Sequence, residues 1–75
     1  MTVLTLSAVI HREDDLYVAE CPELGTVSQG RSIEDAVANL KEATELYLEE
    51  QDQPVHVAPA FLTTFSIDTT DAEAA

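Results

Sequence analysis

The longest periodic segment of the chain runs from Gly30 to Gln51 and reads GRSIEDAVANLKEATELYLEEQ. Its apolar and small residues recur at spacings of three and four, which places them on one side of an α-helix. This predicted core stripe consists of Ile33, Ala36, Val37, Leu40, Ala43, Thr44, Tyr47 and Leu48. Ser32 stands at the N-cap position, and Asp35 three residues later extends the capping pattern. We therefore predict one long helix that packs this stripe against a core.

Outward from this helix, alternating apolar and polar residues predict four β-strands. The predicted strands are Val3 to His11, Leu16 to Cys21, Thr26 to Gln29 and Leu62 to Ile67. The resulting fold class is α+β in the order β-β-β-α-β, a mostly antiparallel sheet with one long helix packed on one face. Because one helix covers only one face of a sheet, we expect the other face to be polar or to be covered by a second chain.

The length of the chain predicts a single domain. We place this domain at residues 1–67 and expect residues 68–75 to form a disordered acidic tail. A chain of 75 residues buries a modest core, so we expect a homodimer or a higher homo-oligomer. The start of the chain lacks the basic region of a signal peptide, and one cysteine cannot form an internal disulfide. No stretch is long and apolar enough to span a membrane. These features predict a cytoplasmic protein without membrane contact.

The charge of the chain limits its possible partners. Fifteen acidic residues face three Lys and Arg, for a formal net charge of −12. The three basic residues, Arg12, Arg31 and Lys41, are scattered, whereas nucleic-acid binding requires clustered positive charge. Nucleic acid is therefore not expected as a direct ligand. Two explanations of the acidity remain open: a basic protein partner, and adaptation to a salt-rich, halophilic environment. The single lysine favours the second, and the two are compatible.

Catalytic and metal-binding chemistry finds little support in the sequence. The residues that could ligate a metal or act as nucleophiles are His11, Cys21 and His56, and their spacings match no ligand pattern. We interpret Cys21, which precedes a proline at a strand end, as a small, partly buried apolar residue. No catalytic residue, metal or cofactor is predicted.

Several short motifs, in this order and at these spacings, carry a family resemblance. They are Tyr17-Val18-Ala19-Glu20, Pro22-Glu23-Leu24, Gln29-Gly30, Ile33-Glu34-Asp35-Ala36 and Leu46-Tyr47-Leu48. Together they resemble the HicB-like antitoxins, whose N-terminal domain has a partly degenerate RNase H-like βββαβ fold. The resemblance covers residues 3–50 closely and the last predicted strand loosely. Many HicB-like proteins carry a C-terminal DNA-binding domain, for which we expect no room in this chain.

The resemblance implies a function in protein binding. HicB-like antitoxins neutralise a small basic HicA-type toxin that cleaves mRNA, and we expect steric and electrostatic occlusion of its RNA-binding surface. Nuclease activity in the chain itself is not expected, because the first predicted strand contains no carboxylate and Asp68 alone cannot hold divalent cations. The alternative is a homo-oligomeric binding module without a toxin partner.

Seven residues are candidates for contact with a basic partner. They are Asp14, Asp15, Glu20, Glu42, Glu45, Leu46 and Glu49. Carboxylates on a helix are ordinarily a solvated face, and single exposed leucines are common. Leu46 lies among acidic residues opposite the predicted core stripe, which is also the pattern of an apolar contact point in an interface. The choice between solvated face and interface stays open at this point.

Overall fold

A computed structural model describes residues 3–70. In this range three strands precede one helix: β1 Val9–Glu13, β2 Leu16–Cys21, β3 Thr26–Gly30 and α1 Ile33–Glu49. The strands form one antiparallel sheet in the order β1-β2-β3. The helix packs on one face of this sheet, against β3 and β2. The α+β class is therefore confirmed.

The register of the sheet follows from a tight turn between β1 and β2. Glu13 pairs with Leu16, so the connection contains only Asp14 and Asp15. Asp14 has a positive φ of 54°, a conformation that Asp tolerates better than most residues. The Nε of Arg12 donates a hydrogen bond to the Asp14 carbonyl oxygen at 3.1 Å and closes the turn. This short turn places the acidic tip of the hairpin at one end of the sheet.

The helix begins and ends close to the predicted positions. The Ser32 hydroxyl accepts a hydrogen bond from the amide of Asp35 at 3.0 Å, as an N-cap should. At the other end Glu50 is the C-cap residue, and its amide donates to the Leu46 carbonyl oxygen at 3.2 Å. The last turn contains no basic residue, so the negative end of the helix dipole lacks a compensating cation.

The core lies between the helix and strands β2 and β3. Its buried residues are Ala19, Cys21, Ala36 and Leu40, with Thr44 as a buried polar residue. The hydroxyl oxygens of Thr44 and Thr26 are 2.7 Å apart, so the buried threonine has a hydrogen-bond partner. The sheet does not cover the whole predicted stripe: the side chain of Ile33 is 48% exposed and that of Val37 is 38% exposed. The three-stranded sheet is too narrow to cover the whole stripe.

The first predicted strand begins later than expected. Residues 3–8 precede β1 and belong to no strand. The pairing of Val9 with Glu20 would place Ser7 opposite Pro22, and proline has no amide to donate. The amide of Ser7 instead donates to the Glu23 carboxylate. The prediction of a strand from Val3 was therefore wrong for its first six residues.

The last predicted strand is also absent from the described residues. Residues 60–67, called the arm below, have no regular secondary structure and are exposed throughout. Their alternation of apolar and polar side chains is that of a strand, but a strand requires a neighbour and the arm has none in residues 3–70. The predicted acidic tail falls mostly outside the described residues, which end at residue 70.

Candidate partner-binding surfaces

The carboxylate of Glu23 fastens the N-terminal segment to the turn between β2 and β3. It accepts hydrogen bonds from the Ser7 hydroxyl at 2.6 Å and from the Ser7 amide at 3.0 and 3.1 Å. The thiol of Cys21 lies 3.5 Å from the same carboxylate. Hydrogen bonding by the Ser7 side chain, above all, lowers the pKa of Glu23. This contact could not be predicted from the sequence, because it joins residues that are far apart in the chain.

We expect the Ser7–Glu23 contact to open only in acid. A lowered pKa means that the contact stabilises the fold fully above the ordinary glutamate pKa of about 4.3 and is lost as the pH falls through the lowered value. In an NMR titration the Ser7 amide resonance should move upfield with a midpoint below that ordinary range. Glu23→Gln should abolish this titration, whereas Glu42→Gln, at an exposed helix position, should leave it unchanged. A Ser7 amide that does not respond to pH would contradict the contact.

One face of the sheet carries no helix and is the first candidate surface. Ala19 and Cys21 are buried under the helix, so Val18 and Glu20 point to the opposite side. This open face is formed by Val9, His11, Glu13, Leu16, Val18, Glu20, Val27 and Gln29. A shallow depression of about 220 Å³ lies on it, lined by Glu13, Asp14, Leu16, Val18 and Gln29. The open face therefore combines apolar side chains with carboxylates, of which Glu20 lies between Val9 and Val27.

The seven predicted contact residues fall on two opposite sides of the molecule. Asp14 and Asp15 form the tip of the β1–β2 turn beside the open face, and Glu20 projects from that face. The other four, Glu42, Glu45, Leu46 and Glu49, lie on exposed positions of α1, which packs on the other side of the sheet. A flat partner can contact one of these groups but not both. The structure thus divides the predicted site into two separate candidates.

The exposed side of the helix presents little apolar surface. Leu46 is 53% exposed and is surrounded by acidic neighbours one turn away on the helix, such as Glu42 and Glu50. Asn39 on this side donates a hydrogen bond to the Gln29 carbonyl oxygen at 2.8 Å, which ties the helix to β3. Glu45 lies instead at the rim of a groove on another side of the helix. The side of the helix around Leu46 therefore offers one exposed apolar residue, whereas the open face offers Val27 together with the half-buried Val9, Leu16 and Val18.

That groove is a concave surface on the helix side of the sheet. It has a volume of about 470 Å³ and lies between residues 4–8 and the helix. Its apolar lining comes from Leu4, Leu6, Val37, Leu40 and Leu48. Lys41 and Glu45 stand on the helix side of the lining. The groove is the uncovered part of the predicted core stripe.

The described residues show no arrangement typical of a metal centre. Within residues 3–70, no group of three or more His, Cys, Asp or Glu side chains is placed to hold a metal ion. Cys21 is only 1% exposed, so it is buried more completely than the predicted partial burial. A helix long and apolar enough to cross a membrane is not found among the described residues.

Val27 is a surface residue that the sequence analysis did not single out. It is 54% exposed at the centre of β3 and stands opposite Glu20 across the open face. The signal was available, since Thr26 and Ser28 alternate with it along the strand. Only the packing of the helix shows which of the two alternating sets faces solvent.

Comparison with known proteins finds one informative similarity. The chain is 50% identical over 46 residues to a UPF0150 protein of Helicobacter pylori. The matched region covers 60% of this chain and 64% of the relative, so it spans less than two thirds of the relative's length. The name of the relative states no activity. No protein-family model and no solved structure matches the chain.

Proposed function

We propose that the chain is a HicB-like antitoxin that binds and neutralises a small, basic, mRNA-cleaving toxin of the HicA type in the cytoplasm. Two observations support this proposal. The motifs between Tyr17 and Leu48 resemble that family, and the similar Helicobacter pylori protein carries the UPF0150 designation, which is commonly linked to HicB-like antitoxins. The proposed role is binding alone, without catalysis or a cofactor.

Among the described surfaces, the open face suits a basic partner best, and we propose it as the binding surface. Val9, Leu16, Val18 and Val27 provide its apolar side chains. Glu20 lies between Val9 and Val27 on the central strand, and Glu13, Asp14 and Asp15 add carboxylates at the hairpin end. Protein interfaces combine a desolvated apolar core with a charged rim, and complementary charge speeds the encounter.

The proposed inhibition is occlusion of the RNA-binding surface. A protein that binds RNA presents Lys and Arg side chains to phosphates. The carboxylates of the open face take the place of those phosphates, while its apolar side chains exclude water from the contact. RNA and antitoxin then compete for the same basic surface, and the toxin cannot engage its substrate.

Two pairs of variants distinguish the open face from the helix surface. Val27→Asp and Leu46→Asp make the same change of charge at residues that are 54% and 53% exposed. Glu20→Lys and Glu42→Lys reverse a charge on each side. We expect Val27→Asp and Glu20→Lys to raise the dissociation constant for the toxin about tenfold or more, which corresponds to about 1.4 kcal/mol. The matched helix variants, Leu46→Asp and Glu42→Lys, should change this dissociation constant less than about threefold. Isothermal titration calorimetry with the basic protein encoded by the adjacent reading frame measures both.

The same measurement can contradict the choice of surface. If Leu46→Asp weakens binding more than Val27→Asp, the contact lies on the helix, as the pattern around Leu46 in the sequence suggested. Circular dichroism and thermal melts of all four variants control for loss of folding.

A second candidate function is a homo-oligomeric binding module without a toxin. The observation that favours it is the exposure of Phe61, Leu62, Phe65 and Ile67 in the arm, each at least 74% exposed. Self-association does not exclude toxin binding, because these residues lie outside the open face. The second candidate replaces the first if the chain self-associates but binds no basic partner.

A further inference from the structure

We propose that two copies of this chain exchange their arms, so that the arm of each copy fills the apolar groove of the other. This inference does not depend on the proposed toxin binding. It rests on the composition and exposure of the arm, on the groove, and on the place where the arm leaves the rest of the chain.

The arm has the apolar composition of a buried strand, yet its apolar side chains are exposed to solvent. Phe61, Phe65 and Ile67 lie on one side of an extended chain, with Thr63 between the two phenylalanines. They are 93%, 88% and 74% exposed, and Leu62 is 85% exposed. Both phenylalanines of the protein are in this segment. The arm also contains no charged residue, although the whole chain has a net charge of −12. A segment of this kind is expected to be covered in solution.

The groove is a receiving surface of matching chemistry. Its floor is apolar, and none of the residues that line it belongs to the arm. Beside it, residues 3–8 belong to no strand. The edges of the sheet are β1 and β3, and residues 4–8, which lead into β1, form one wall of the groove. An added strand can therefore find backbone partners and apolar contacts at this place.

The arm leaves the rest of the chain close to the groove, so the arm of one copy can reach the groove of a second copy. The amide of Ala58 donates to the Glu23 carbonyl oxygen at 3.4 Å, while the carboxylate of the same Glu23 holds Ser7. The arm thus starts beside the segment that borders the groove, yet it does not enter it. Pro59 follows this contact and restricts the backbone at the start of the arm. Two copies related by a twofold axis can place each arm in the partner's groove, which closes the assembly as a dimer.

The apolar area of the arms suits a dimer of this kind. Burying a phenylalanine removes about 150–250 Å² from water, so the four phenylalanines of two arms contribute roughly 600–1,000 Å². Leu62 and Ile67 from each copy bring the total near the ~1,200 Å² at the lower end of stable interfaces. The contact surfaces are uncharged apart from Lys41 and Glu45 at the helix. The negative charge of the two copies therefore stays outside the contact.

Analytical ultracentrifugation of the full chain tests the dimer and the role of the arm. At micromolar concentration in about 2 M KCl, where repulsion is screened, the unmodified chain should sediment as a dimer. Phe65→Asp and Phe61→Asp should each raise the dimer dissociation constant at least about tenfold. Leu46→Asp is the matched control, an apolar residue exposed outside both arm and groove, and it should leave the dimer intact. A chain that is monomeric at hundreds of micromolar overturns the proposal, as does a dimer that Leu46→Asp breaks and Phe65→Asp does not.

Crosslinking decides whether the arm enters its own groove or the groove of a second copy. Light and heavy isotope-labelled chains carrying Phe65→p-benzoylphenylalanine are unfolded together, refolded and irradiated. Exchange predicts crosslinks to groove residues such as Leu4 and Val37, with mixed light–heavy pairs in the proportion expected for random pairing. Crosslinks only within one copy, or crosslinks that avoid the groove, overturn the proposal.

Discussion

Replacement of Gly30 by alanine should remove about 3 kcal/mol from the free energy of unfolding, the upper end of the usual cost of overpacking. A Cβ at this position would lie 2.5 Å from the amide nitrogen of Ala36 and 2.7 Å from the carbonyl carbon of Asp35. Both are backbone atoms of the first helical turns, so they cannot move aside as a flexible side chain could. The end of β3 and the start of α1 approach each other this closely only because position 30 has no side chain.

Gly25 provides the matched control for this prediction. It has a positive φ of 80° and no atom within 4 Å of the position of a Cβ. Gly25→Ala should therefore cost only the backbone strain of the left-handed region, about 1–2 kcal/mol. Gly25→Asn should recover most of that loss, since Asn tolerates this region, whereas Gly30→Asn should not. Urea denaturation of the four variants measures the differences. A smaller loss at Gly30 than at Gly25 would show that the helix and β3 are less close than described.

Raising KCl from about 0.1 M to about 2 M should increase the melting temperature by roughly 10 °C or more, because screening weakens the repulsion among surplus carboxylates. In a domain of this size each kcal/mol shifts the melting temperature by about 4–8 °C. Within residues 3–70, one ion pair is present, between the imidazole of His11 and Glu13 at 3.4 Å. Neither Arg nor Lys forms an ion pair there, so the carboxylates are largely uncompensated.

A charge-reduced variant separates screening from other effects of salt. Glu42→Gln, Glu45→Gln and Glu49→Gln together remove three charges from exposed positions of the helix. This triple variant should melt higher than the unmodified chain at low salt and gain less from added KCl. An unchanged or lower melting temperature of the unmodified chain in 2 M KCl would refute electrostatic destabilisation.

The elements that the sequence predicted well are those with local signals. The helix was predicted from its periodicity and from Ser32, and its cap contact lies within four residues. Strand β2 has the predicted bounds, and β3 extends one residue further than predicted, to Gly30. Both strands alternate and end at turn residues, so their limits depend little on the rest of the chain.

The elements that were predicted wrongly depend on distant residues. The start of β1 depends on Pro22, in the turn that follows β2. Because Pro22 has no amide to donate, Ser7 finds no backbone partner there and its amide donates to Glu23 instead. The arm shows the alternation of a strand, but no periodicity can supply the neighbouring strand that it requires. The requirement for glycine at position 30 also depends on packing, since it comes from the close approach of the helix and not from a positive φ.

The candidate site was predicted by residue type but not by arrangement. The sequence identified carboxylates and Leu46 as suited to a basic partner, and all seven residues are exposed. The sequence could not predict that the β1–β2 turn and Glu20 lie on one side of the molecule and the helix residues on the other. That separation follows from the packing of α1 on the sheet. For the same reason the sequence analysis missed Val27.

A binding titration of the full chain with the basic protein encoded by the adjacent reading frame tests the central claim most directly. Fluorescence anisotropy of a labelled RNA bound to that protein provides the readout, at about 0.1 M and about 2 M KCl, since the electrostatic share of binding is screened at the higher salt. The account predicts that the chain displaces the RNA and protects it from cleavage at both salt concentrations, with slower association in high salt. Failure to bind the basic protein or to displace the RNA at either salt concentration would contradict the antitoxin function.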